Sequence, residues 1–99
     1  MLRITKITTQ SPYFLLCEFN YHEIRKLDAL PIIQSHLHLK GVERLLNESV
    51  FQNVGIGQFG EIVWKDIVVT IQNDEQIVWD YDISPEFAFQ NSIDQLELV

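Results

Sequence analysis

Ninety-nine residues, 46% of them apolar, make one globular domain and argue against disorder. Cys17 is the sole cysteine, which excludes an internal disulfide and fits a reducing, cytosolic setting. The formal charge of −7 is uneven: residues 51–99 hold nine acids against Lys65, residues 1–50 hold six bases against five acids, and such an acidic half disfavours direct contact with nucleic-acid phosphates.

The opening MLRITKITTQSPY has neither the apolar stretch nor the small-residue cleavage site of a signal peptide. No apolar run approaches the roughly 20 residues of a membrane span. Leu2 to Thr9 is β-prone, and Gln10-Ser11-Pro12 signals a turn. Tyr13 to Phe19 reads as a largely buried strand. A turn at Asn20–Glu23, with Asn20 in the left-handed region, leads to a third strand over Glu23–Leu27. Asp28 is expected to cap a short helix that tolerates Pro31 in its first turn and ends near His36–Leu39. Val42–Leu46 gives one further helical turn, and Asn47 caps another over 48–53.

Val54 to Gly60 alternates apolar residues with Gly or Gln and suggests a strand with a bulge or tight turn at Gly57 or Gly60. A long hairpin follows, Glu61–Ile71 and Gln76–Ile83. A three-residue loop at 73–75 would set Ile71 opposite Ile77, Val69 opposite Trp79 and Ile67 opposite Tyr81, which gathers apolar residues on one face; a two-residue loop would pair Thr70 with Ile77 and Val68 with Trp79, a poorer match. Ser84-Pro85-Glu86 then starts a helix, with Ser84 as cap, Pro85 first and Glu86 at the positive end of the dipole. The domain is expected to span 2–92, with 93–99 as a loose tail. The fold class is α+β: a small, mostly antiparallel sheet, an N-terminal meander plus a C-terminal hairpin, with two or three short helices.

Four strings occur in order: Leu27-Asp28 before a proline-bearing turn, Leu45-Leu46 with Phe51-Gln52-Asn53-Val54, Gln58-Phe59-Gly60-Glu61-Ile62-Val63-Trp64, and Asp80-Tyr81-Asp82-Ile83-Ser84-Pro85-Glu86-Phe87. Together they resemble the bacterial family catalogued as domain of unknown function 2442, over roughly residues 2–92. The segment from Ile67 to Trp79 is additional to what many relatives carry. The resemblance implies a small α+β domain with no established activity or catalytic residues. Some relatives sit beside another small protein, as in toxin–antitoxin pairs.

Asp80, Asp82 and Glu86 are the candidate acidic cluster. The two aspartates share a strand face, Glu86 follows one helical turn on, and such carboxylates suit Mg²⁺ and a metal-dependent hydrolase. The competing reading is a solvated face without positioned base or nucleophile. In the same register Asp66 meets Asp82, a like-charge pair. His36-x-His38, distant His22 and the mid-strand Cys17 do not make a zinc set. Gly55-x-Gly57-x-x-Gly60 matches a dinucleotide loop in letters only, because a strand follows where a helix is needed.

No cofactor is expected. Trp79 is assigned to the core. Trp64, with Val63, Val68 and Val78, is placed on a second apolar face that a partner would cover. The function this favours is a non-catalytic interaction module, self-associating as a homodimer or paired with a basic protein. The alternatives are the hydrolase and, third, an acidic DNA mimic.

Overall fold

The computed structural model describes residues 1–94. Strands β1 (Ile4–Gln10), β2 (Phe14–Phe19) and β3 (Ile24–Asp28) form an antiparallel meander. Two α-helices, α1 (Leu30–Ser35) and α2 (Glu48–Phe51), flank a 3-10 helix at Val42–Leu46. Strand β4 (Gly55–Ile56) leads into the long hairpin of β5 (Ile62–Gln72) and β6 (Glu75–Ile83). Helix α3 (Pro85–Gln90) and strand β7 (Ile93–Asp94) follow. The class is α+β, and the strands divide into two antiparallel sheets, ordered β1-β2-β3-β7 and β4-β5-β6.

Period-two alternation makes β2 a core strand: Leu15, Cys17 and Phe19 are buried while Phe14, Leu16 and Glu18 are half-buried. They pack with Leu27, Ile33, Val42, Leu45, Phe51, Ile62 and Trp64 in one continuous cluster shared by both sheets. Two glycines bring the layers together. Gly60 sits at φ +77°, and a Cβ there would lie 2.6 Å from that of Arg3. Its carbonyl accepts from the Ile4 N–H at 3.0 Å, joining the sheets. Gly41, at φ +102°, lies so close to Ile67 that any Cβ would run into the Ile67 carbonyl oxygen.

The caps follow the side chains. Asn47 accepts from Ser49 N–H at 2.9 Å, and Ser84 accepts from Phe87 N–H at 3.1 Å with Pro85 in the first turn. Asp28 differs from expectation. It closes β3, Ala29 is the residue flanking α1, and the Asp28 carboxylate reaches Leu30 N–H at 3.2 Å as a local turn bond. At the β2–β3 turn the left-handed residue is His22 (φ 69°), not Asn20. Of the strand expected over 54–60 only Gly55–Ile56 is strand: Gly57 N–H closes the ladder on the Glu61 carbonyl at 2.8 Å, and the chain turns at once, with Gly60 N–H donating to Gly57 O at 3.0 Å.

The hairpin register also differs. The loop has two residues, Asn73 and Asp74, closed by Gln72 opposite Glu75. Both central residues have positive φ, 51° and 65°, the type I′ geometry whose twist matches the strands. Asn and Asp reach it without glycine because their short polar side chains tolerate the left-handed region. Thr70 therefore faces Ile77 and Val68 faces Trp79, one position from the expected pairing. At the root Trp64 faces Tyr81, so Lys65, Asp66 and Ile67 lie opposite Asp80 alone, a bulge with Asp66 at φ 57°.

Residues 93 and 94, expected in the tail, extend the meander: Lys26 pairs Ile93 and Arg25 pairs Asp94. The rest of that tail, 95–99, lies outside the described residues. Arg25 holds this junction, donating to Ser92 Oγ at 2.9 Å and Ser92 O at 2.7 Å while its guanidinium lies 4.3 Å from the centre of the Phe89 ring.

Candidate protein-interaction surface

Strand β5 has eleven residues, about 36 Å at the usual rise per residue. The molecule measures 50 × 28 × 20 Å, so a strand of this length spans much of its longest dimension. Only its root is roofed. Ile62, Trp64, Ile67, Tyr81 and Ile83 are buried, whereas every residue from Ile71 to Gln76 is exposed. Past the bulge the core ends and the ribbon continues.

The two tryptophans accordingly exchange the places expected of them. Trp64 is 1% exposed, lies against the tilted rings of Phe51 and Tyr81, and donates to the Phe51 carbonyl at 2.8 Å. Trp79 is 48% exposed and donates to Thr70 Oγ1 at 2.7 Å across the ribbon. They share one face of the sheet, but Trp64 lies over the body and Trp79 beyond it. The expected trio also divides. Val63 and Val78 share a face with Asp80 and Asp82, while Val68, opposite Trp79, lies on the other. The distal ribbon is thus apolar on both sides: Val68, Ile77 and Trp79 on one, Val69, Ile71 (70% exposed) and Val78 (45%) on the other.

Its root is stapled. Arg44 Nη2 donates to the carbonyls of Asp66 (2.8 Å) and Ile67 (2.6 Å), and Val69 N–H donates to Lys40 O at 2.9 Å. Asp66 N–H donates to Asp80 Oδ1 at 3.0 Å, so the bulge uses one of the candidate carboxylates. Asp82 faces Val63, so the expected Asp66–Asp82 pair does not form.

Asp82 and Glu86 line a groove of about 270 Å³ that Glu61, Phe59 and Pro85 also border; Asp80 is not among its walls. Glu61 Oε1 is occupied by Phe59 N–H at 2.9 Å. Among the described residues no three His, Cys, Asp or Glu side chains converge on a point that could hold a metal ion.

A second groove, about 240 Å³, lies beside the C-terminal half of β6 and is lined by Ile32, His36, Phe87, Tyr81, Ile83 and Asp82. His36 Nδ1 and the Tyr81 hydroxyl are 2.6 Å apart. Burial, then the charge of Asp82, pushes the Tyr81 phenol up to about 12, so it stays protonated at neutral pH and serves as a hydrogen-bonding group. Burial likewise pushes the Cys17 thiol up to about 12, which leaves it far from the thiolate a nucleophile requires.

No sequence signal separated the ribbon's root from its tip. Apolar residues recur along both strands, from Ile62 to Ile71 and from Ile77 to Ile83, and only the position of the body beneath them distinguishes core from display. Among the described residues no helix is long and apolar enough to cross a membrane. Compared with known families, curated proteins and solved structures, the chain matches none.

Proposed function

We propose that this chain is a non-catalytic protein-interaction module that acts in the cytoplasm and docks through its distal ribbon. Membership in the family of domain of unknown function 2442, and a regulatory, antitoxin-like role beside a partner protein or as a homodimer, belong to the same proposal. The observation that carries it is the display of Trp79, Ile71 and Val78 on a ribbon stapled at its root and uncovered beyond it. Exposed aromatic and aliphatic residues on a rigid element are what interface centres are made of.

Light scattering and affinity co-purification from source cells, with the parent and the Ile71→Lys and Trp79→Lys variants, test this. The expected outcome is an assembly or bound partner that both variants lose while staying folded, with melting temperatures within a few degrees of the parent. A strict monomer that retains nothing counts against the reading.

A further inference from the structure

Among the described residues strand β6 pairs with β5 alone, and no backbone group of the described chain bonds to its other edge. A two-residue loop closed by Gln72 and Glu75 turns the backbone of residues 75, 77, 79 and 81 toward β5, and that of 76, 78, 80 and 82 outward. The Val69 N–H, opposite Val78, does point away from β6, to Lys40 O, as this phase requires. Gln76, Val78, Asp80 and Asp82 are all exposed, so the outward N–H and C=O groups form a row that a further strand can pair with.

Three features define the strand that fits. The side chains of the outward residues include Asp80 and Asp82, with Asp74, Glu75 and Glu86 nearby and no base from Asp66 to Asp94. The opposite face carries Ile77 and Trp79 and runs into the groove lined by Ile32 and Phe87, the latter 44% exposed. Residues of an added strand alternate between these faces, so one set meets carboxylates and the other apolar surface.

From these features we infer that β6 receives an extended, amphipathic basic segment of a partner protein by strand addition: Lys or Arg at every second position against Asp80 and Asp82, apolar side chains between them against Trp79 and into the Ile32/Phe87 groove. A second copy fits this edge poorly. Antiparallel β6–β6 pairing would set two strands side by side that each carry Glu75, Asp80 and Asp82 and no base of their own. The inference rests on the docking reading above and names its partner chemistry.

Full-length protein and a labelled, end-blocked nine-residue peptide alternating Lys and Val test it by fluorescence anisotropy. Comparison peptides are the Glu/Val analogue, a block isomer with Lys and Val segregated, and two N-methylated forms, methylated on alternate amides of either phase. The alternating Lys/Val peptide is expected to bind more weakly as salt rises. The block isomer, the Glu analogue and one N-methylated form should fail, while the other N-methylated form binds normally. Val78→Pro, which removes one outward N–H at an exposed edge, should weaken binding about tenfold while the melting temperature holds.

Equal binding of the alternating and block peptides, or of both N-methylated forms, would overturn strand addition yet leave ribbon docking intact. Failure of the alternating peptide to bind overturns the basic-segment assignment. A parent dimer that Val78→Pro turns into a monomer would give the edge to a second copy instead. Ile71→Lys and Trp79→Lys variants that keep every partner would sink the docking reading itself.

Discussion

Trp64 and Trp79 share a residue type, a sheet face and a hairpin, and differ in what lies beneath them. Trp64→Ala removes a buried ring from a packed cluster and should cost about 3–5 kcal/mol in urea unfolding. Trp79→Ala removes a half-exposed ring and should cost under about 1 kcal/mol, the range of substitutions away from the core. Comparable losses would mean that the ribbon is part of the core. Deprotonation of two buried groups should make stability fall at alkaline pH. The Tyr81 phenol is raised from 10.0 to about 12 and the Cys17 thiol from 9.0 to about 12. The folded chain holds these protons more tightly than the unfolded one, so their contribution is complete below pH 9 and declines as pH rises toward 12. Tyr81→Phe should flatten the decline of the urea midpoint between pH 10 and 12. Parallel curves for variant and parent would refute this assignment.

At the scale of elements, the meander, the capped helices and the hairpin were legible in the sequence because each has local punctuation: Pro12 before β2, Asn47 and Ser84 at helix starts, Asn73-Asp74 between two β-branched runs. The register was not. An uninterrupted run such as Ile67-Val68-Val69 offers an apolar side chain in either phase, so the pairing is decided by turn geometry and by the bulge at 65–67. Nor could the sequence show that Gly41 and Arg44 hold this bulge, since that contact joins residues 23 and 26 positions apart. Gly41→Ala should destabilise by about 2–5 kcal/mol, a left-handed backbone penalty plus the overlap with the Ile67 carbonyl. Asp74→Gly, which relieves one left-handed residue in a type I′ turn, should slow amide exchange at Thr70 and Ile77, a local gain of up to about 1 kcal/mol.

For the whole molecule, the division between a buried root and a displayed tip predicts that the two separate cleanly. Replacing residues 69–78 by Asn-Gly joins Val68 to Trp79, a pair in the same phase as Gln72 and Glu75, through an equivalent turn. That shortened chain should still unfold in one cooperative transition, because Ile62, Trp64, Ile67, Tyr81 and Ile83 stay in place, and should lose association. A shortened chain that fails to fold would show that the tip carries folding information. The same geography gives the protein two built-in optical reporters. Trp64, enclosed between aromatic rings, should emit at short wavelength and redden only when the domain melts. Trp79, half in water, should shift to the blue whenever its ribbon is covered, so that a Trp64→Phe chain would signal occupancy by colour without any added dye.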